Sequence, residues 1–462
     1  MGGQPPAASS HTVPLKILLT VHQFFPQHGA GTEVLTLTVA RELLARGHQV
    51  QVLTGHPATQ PMADAARCDE TTHAGLRVHR FHHAYTPMGG QTSKLAVGYD
   101  NHLAAACFAR ILREFRPDVV HFFHLNRLGT GLIDEAARQG VPCFMTPTDF
   151  WPICPTGQLL LCNGRPCHGP SPAAGNCLQH LAQTTQGGVV GTLAAWLPTA
   201  VADGIMRLAN TRWWPRRGPG AEVQALAARL GTNVARLNRL QKIAAPNRFM
   251  QNTLQRHGVA AERLALLPYG VAPGHTAPVV RSTPAPGAPL RVGFVGTLAP
   301  HKGCHVLVQA FRSLPQAQFQ LSVYGSENDF PRYASALRQQ AGRCAHIRFC
   351  GVFPNAEIGA VMAGLDVLVL RSLWHENTPL VLYSAQASGC PVVASALPGI
   401  AEVLQADHNG LLFAPGDAQA LAQQLRRLRH EPGLLTRLSH NARPPKTSAR
   451  YVDELLALWH AA

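Results

Sequence analysis

Glu376 and Lys302 are the residues whose surroundings point most directly to chemistry. Glu376 follows an apolar run, Val367 to Leu370, that reads as a buried strand. A Pro-started helix comes next, then the turn Ser388-Gly389 and a second apolar run, Pro391 to Ser395. The unit is strand, helix, strand, with a carboxylate at the carboxyl end of its first strand. Open parallel sheets bind ligands at that edge, and a carboxylate there suits hydroxyl donors. Lys302 lies in the turn Gly296 to Gly303, after the apolar run Arg291 to Val295 and before a helix. Gly296 lets backbone approach a ligand closely. The free N–H groups of a helix start, with an ammonium beside them, suit a phosphate. Seen alone, the same turn is equally an ordinary strand-to-helix connection with a solvated Lys.

Other clusters also carry side chains or loops suited to binding. Gly29-Ala30-Gly31-Thr32 stands between a strand and a helix, where it can cradle a phosphate or bring an acceptor close to backbone. His121 and His124 fall at a strand end, in positions open to packing or to support of a site. Cys154, Cys162, Cys167, Cys177 and His180 are dense enough for a structural zinc held by Cys154, Cys167, Cys177 and His180, or for a set of buried thiols. Arg207, Arg212, Trp213, Trp214, Arg216 and Arg217 combine cations with interfacial aromatics. That mixture fits a membrane surface or a solvated basic loop.

The elements that must position these residues alternate. Strands are expected at 16–20, 50–53, 77–81, 119–123 and 143–146, with helices at 32–46 and 103–115. Helical, Arg-rich sequence interrupts the pattern over 180–245, inside an insertion of about 150–245. A Pro-, Ala- and Gly-rich linker covers 272–289. Alternation then restarts at Leu290 and runs to about 440. The expected architecture is α/β: two doubly wound Rossmann-like domains, 15–271 and 290–440, facing a cleft. A polar tail, 1–14, precedes them, and a helix within 441–462 packs back toward the first domain.

The chain has 462 residues, 46% hydrophobic and 14% charged, with a net charge of +15. That is a folded composition, too long for one core. The positive balance fits an anionic partner such as a nucleotide-sugar or a membrane surface. No dense Lys/Arg run with interleaved aromatics argues for nucleic acid. The tail lacks an apolar core and is no secretion signal, and the run Val189 to Met206 is broken by Pro198 and Asp203. Eleven Cys in such a chain suggest a reducing cytoplasm, with thiols or a metal and not a disulfide framework.

The spacing G-x-L-x-x-x-K-G over 296–303, followed by the Glu376 segment, resembles family 4 glycosyltransferases (glycosyl transferases group 1) of the GT-B fold. The resemblance implies transfer of a sugar from a nucleotide-diphosphate donor to a glycan or lipid-linked acceptor, with retention and without a catalytic metal. It implies that Lys302 contacts the donor diphosphate and Glu376 the sugar hydroxyls. Gly296 and Thr297 would lie beside the donor, and backbone amides near Asn377, Thr378 and Leu380 would cradle the phosphates. Gly29, Gly31, Thr32 and Asp149 would face the cleft from the first domain. It further implies work in the cytoplasm or at the inner membrane face. Three positions depart from the pattern: Thr297 stands where Arg is usual, Thr148 where a His often lies, and Ser384 where a second Glu binds the ribose. Each lost charged contact costs about 1.5–3 kcal/mol. The departures therefore also allow a weakened transferase, or a binding protein that no longer transfers.

Overall fold

Continuous apolar strands need helices on both faces, and that requirement builds both halves of this chain. The computed structural model describes residues 13–84, 86–185, 188–272, 278–443 and 445–461. Most of the expected tail, and the linker over 273–277, lie outside the described residues.

The first sheet comprises β1 (Lys16–Val21), β2 (Gln49–Pro57), β3 (Cys68–His73), β4 (Leu76–His83), β5 (Val119–Phe122), β6 (Cys143–Met145), β7 (Lys242–Ala245) and β8 (Leu264–Leu266). Its order is β3-β4-β2-β1-β5-β6-β7-β8. All neighbours are parallel except the edge pair β3–β4. The second comprises β9 (Leu290–Val295), β10 (Phe319–Tyr324), β11 (Ile347–Gly351), β12 (Val367–Leu370), β13 (Val392–Ser395) and β14 (Gly410–Phe413). It is parallel throughout, in the order β11-β10-β9-β12-β13-β14. The order reverses at β1/β5 in one sheet and at β9/β12 in the other, which opens a crevice at each switch point.

β3 is an element the sequence hid. Its residues, CDETTH, carry no apolar alternation. A tight turn with positive φ at Ala74 and Gly75 folds it onto β4. This strand also corrects the cysteine reading. It carries Cys68 to Cys107, on the helix His102–Phe115, and the two form a disulfide. The other nine cysteines are free thiols.

Between β6 and β7 lies the insertion, with helices Gly175–Thr185, Gly188–Trp196, Thr199–Ala209 and Pro219–Leu237. The chain crosses between the halves twice, and the two crossings pair. Val271 N–H donates to Lys446 O at 3.0 Å, and Ser448 N–H to Val271 O at 2.9 Å. The last helix, Ser448–His460, then lies against the first sheet. Its buried face is Tyr451, Val452, Leu455 and Trp459. Arg46 fastens it by bonds of 2.9 Å to Asp453 and to Ala449 O. One apolar cluster runs from Ile17 and Leu19 through Tyr269, Tyr451 and Trp459 to Leu382 and Ile400, so the halves share core.

His121 of β5 lies inside that seam. Its Nδ1 accepts from Trp459 Nε1 at 3.2 Å, and its Nε2 donates to Thr146 Oγ1 at 2.9 Å, which fixes a neutral tautomer. Burial lowers its pKa to about 3. Below pH ~6.5 the unfolded chain protonates this ring while the folded one does not, so stability falls with pH. Glu33, raised to about 6 by burial, acts in the opposite direction over pH ~4.5–6. Urea titrations at pH 7.5 and pH 5 should show His121→Gln losing about 2 kcal/mol less than the parent over that interval. Equal losses would mean that the ring is protonated in the fold.

Candidate functional site

β9 and β12 lie side by side, with Val292 opposite Val367 and Gly293 opposite Leu368. The loops leaving their carboxyl ends therefore meet. Gly303, at φ 70°, closes the first loop, and a Cβ there would lie 2.5 Å from Arg371 O. Only glycine permits this approach and this backbone conformation. The result is that Lys302 and Glu376, 74 positions apart, form an ion pair. Ser372 Oγ donates to the same Glu376 oxygen at 2.6 Å, and Trp374 Nε1 at 2.9 Å. The ammonium also lies 5.1 Å from the Trp374 ring centre. Glu376 is buried and Lys302 about a quarter exposed. Ser372 and Trp374 are supports that sequence reading missed, although both lie within four residues of Glu376.

The following turn presents polar groups to the same place. Asn377 and Thr378 are buried, and Asn377 Nδ2 donates to Pro147 O of the first half at 3.3 Å. Leu380 starts the helix Leu380–Ala387, whose N-cap, Pro379, sets no side chain over the first-turn N–H groups. His375 carries buried ring nitrogens without a hydrogen-bond partner among the described residues, while Arg371 lies beside the Cys304 thiol, Asn377 beside the Tyr269 hydroxyl and Thr378 beside that of Tyr383. The Arg371 guanidinium lies 3.9 Å over the Phe294 ring. Burial lowers the His375 pKa to about 4. This concentration of buried polar side chains suits a polar ligand. Gly296 and Thr297 form the half-buried start of the Lys302 loop. Ser384 is turned back on its own helix, donating from Oγ to Leu380 O at 3.2 Å.

The first half meets this centre directly. Gln158 Nε2 lies 3.3 Å from His301 Nδ1, next to Lys302. Glu402 accepts from Arg248 N–H and Phe249 N–H at 2.7 Å each, so a carboxylate of the second half caps a helix of the first. Gly399 presses against Glu376 O, where a Cβ would lie at 2.4 Å.

On the opposing rim, Thr32 Oγ1 donates to Thr148 Oγ1 at 3.0 Å, which brings the Gly29–Thr32 loop to Asp149. Gly29 abuts the Phe25 ring, whereas Gly31 faces open space. His124 accepts from Asn126 N–H at Nδ1, so its Nε2 is the donor to Asp149 Oδ2 at 3.0 Å. The His22 and His124 rings are 4.1 Å apart. Position 148 has no imidazole, but the loop after β5 brings that of His124 to its neighbour Asp149. The phosphate reading of the Gly29–Thr32 loop fits less well. Glu33 is fully buried in the first turn of that helix, and a carboxyl there competes with an anion for the same N–H groups. The acceptor reading of the loop has no such conflict.

Cys154, Cys167, Cys177 and His180 do line one small cavity. They do not form a ligand set: among the described residues no three His, Cys, Asp or Glu side chains are grouped to hold a metal. Cys154 Sγ lies 3.3 Å from Thr156 Oγ1, and Cys167 Sγ bonds Gly169 O. Burial pushes the Cys167 and Cys177 thiols up. The buried Arg229 guanidinium, 5.1 Å from the Trp151 ring, already places a cation beside these sulfurs. These residues do not fit zinc in this arrangement.

Known proteins match this architecture. Residues 29–275 match Glycosyltransferase Family 4, and residues 279–444 match Glycosyl transferases group 1. The chain is 36% identical over 153 residues to 2-deoxystreptamine glucosyltransferase of Streptomyces kanamyceticus, covering 32% of this chain and 38% of that protein. It is 26% identical over 404 residues to a GDP-mannose-dependent alpha-mannosyltransferase of Mycobacterium tuberculosis, covering 87% and 85%. The matches span about four tenths of the length of the first curated relatives. The structure of Anabaena HepE in complex with UDP and glucose superposes with TM-score 0.61 at 17% identity, over 97% of this chain and 100% of that one. The fold is GT-B.

The Gly303 contact is directly testable. Gly303→Ala forces either the positive φ or the Arg371 carbonyl to shift, and should cost at least about 1–3 kcal/mol in a urea titration. Undiminished stability would show that the two loops do not meet in this way.

Proposed function

Since the chain belongs to glycosyltransferase family 4, with the group 1 region as its second half, we propose that it is a working hexosyltransferase-type enzyme. It transfers a sugar from a nucleotide-diphosphate donor to an acceptor hydroxyl in glycan or polysaccharide biosynthesis, with retention at the sugar. The acceptor is a glycan or a lipid-linked glycan. The observation that carries this reading is the Lys302–Glu376 pair at the switch point of the second sheet.

The geometry supports a division of labour. Lys302, held over Trp374, would take the diphosphate as it gathers charge during departure. The uncapped start of the helix Leu380–Ala387, with Asn377 and Thr378 before it, would receive the phosphate oxygens. Glu376, steadied by Ser372 and Trp374, would accept hydrogen bonds from the sugar hydroxyls. In the free protein Lys302 and Glu376 neutralise each other. A donor carrying both hydroxyls and a diphosphate satisfies both groups at once, so neither is left buried and unpaired. This set of charges supplies the positive potential a leaving diphosphate needs, and the reading requires no catalytic metal. The acceptor would enter from the rim formed by Gly29, Thr32, His124 and Asp149.

Ser384 sets the donor affinity in this scheme. Its hydroxyl is engaged with Leu380 O, so it offers the ribose less than a carboxylate would. Two substitutions test the proposal. Lys302→Ala should lower kcat/KM at least 100-fold for UDP- and GDP-sugar donors, and unchanged turnover would remove the assignment. Ser384→Glu should tighten donor binding about tenfold by calorimetry, through one added charge-assisted contact. No gain would place the ribose elsewhere. The anomeric configuration of the product, read by NMR, tests retention, and tight binding without transfer to any acceptor would favour a binding protein.

A further inference from the structure

Six of the thirteen exposed large apolar side chains among the described residues fall between 189 and 213: Val189, Leu193, Trp196, Val201, Leu208 and Trp213. They belong to the helical insertion of the first half, far in sequence from the donor centre. Val189, Leu193 and Trp196 recur at i, i+4 and i+7 along the helix Gly188–Trp196, so they form one stripe. The opposite side of that helix is the one that packs. Gly191 is buried, and a Cβ there would meet Gln183 of the preceding helix at 3.3 Å. The next helix, Thr199–Ala209, repeats the arrangement. Met206 and Ala202 point inward, while Val201 and Leu208, seven residues apart, face out. Trp196 is 83% exposed and Trp213 79%, values that side chains of this size rarely show without a reason.

The exposed charge carried by this segment has one sign. Arg207, Arg212, Arg216 and Arg217 are all exposed. The one acid between 188 and 218, Asp203, is buried and committed elsewhere. It accepts from Ser171 Oγ at 2.6 Å and from Gly175 N–H at 2.8 Å, pinning the base of the insertion. Arg212 stacks over Trp213, with 4.8 Å to the ring centre. Trp214, by contrast, is tied to Gly220 O at 2.9 Å. One tryptophan of the pair anchors the loop and the other is left facing out.

We infer that the outward face of residues 189–217 docks on the surface of an anionic lipid bilayer, with Trp196, Trp213 and Leu193 entering the interface and the four Arg contacting phosphate headgroups. No helix among the described residues is long and apolar enough to cross a membrane, so the contact is peripheral. The chemistry selects this occupant. Tryptophan rings and arginine stems are the side chains suited to a boundary between headgroup and acyl chain, and each Arg gains from a negative surface. A second copy of this chain is a poorer fit, because a self-complementary contact would set arginines against arginines. The inference does not rest on the transferase reading. It would let the acceptor-side half work on substrates held at that surface.

The test is flotation of the full chain with vesicles, without donor or acceptor. The protein should float with vesicles of phosphatidylcholine mixed with phosphatidylglycerol, and at least tenfold less with phosphatidylcholine alone. Leu193→Ser with Trp196→Ser, and separately Arg216→Glu with Arg217→Glu, should each reduce binding at least tenfold with an unchanged thermal melt. All four side chains are exposed, so both variants should fold. Failure to bind the anionic vesicles at low salt overturns the inference. So does equal binding by either variant, or a parent dimer in light scattering that Trp196→Ser dissociates. Because flotation needs no turnover, an inactive but membrane-bound protein would overturn only the transferase reading.

Discussion

The ion pair between Lys302 and Glu376 is the contact on which the candidate centre depends. It joins loops from two adjacent strands, β9 and β12, and it forms only because Gly303 lets one loop rest on the Arg371 carbonyl. Ser372 and Trp374 complete the shell around one carboxylate oxygen. A buried carboxylate with one donor would be poorly compensated, and with three it is held in a single orientation. In the proposed transfer such an orientation would matter, because positioning and electrostatics supply most of the rate in a reaction with little covalent participation from the protein.

Around this pair the two halves are joined more closely than a hinge alone would require. The crossings at Val271 and Lys446 pair by backbone. The helix Ser448–His460 carries Tyr451 and Trp459 onto the first sheet, where Trp459 meets His121. Glu402 caps the helix Arg248–Arg256 across the cleft, and Asn377 reaches Pro147. These contacts set the distance between the Lys302–Glu376 pair and the rim that carries His124 and Asp149. They also explain the buried neutral His121: it is part of the seam, and its chemistry is structural.

The departures from the family pattern have different structural outcomes. Next to Thr148, the loop after β5 brings His124 to within 3.0 Å of Asp149. At Ser384 the hydroxyl is occupied by its own helix. Arg371, whose carbonyl meets the end of the Thr297 loop at Gly303, is buried with its guanidinium over Phe294.

Much of this was legible in the sequence, and the limits were physical. Alternating apolar runs and helix periodicity determined two parallel sheets, because burial on both faces demands that pattern. Gly296, Lys302 and Glu376 stood out because strand ends and helix starts have fixed chemistry. β3 escaped because an edge strand with polar residues shows no periodicity. The disulfide escaped because Cys68 and Cys107 lie 39 positions apart and only the edge hairpin brings them together. The zinc expectation met no ligand set among the described residues, because spacing gives proximity without direction: four residues reached one cavity, beside a buried Arg229, and Cys154 and Cys167 bond to Thr156 and Gly169 there. The sequence by itself determined which residues stand at strand ends. Only the tertiary structure decided which of them meet, because a contact across two sheets depends on strand order and loop closure, and neither is written in local spacing.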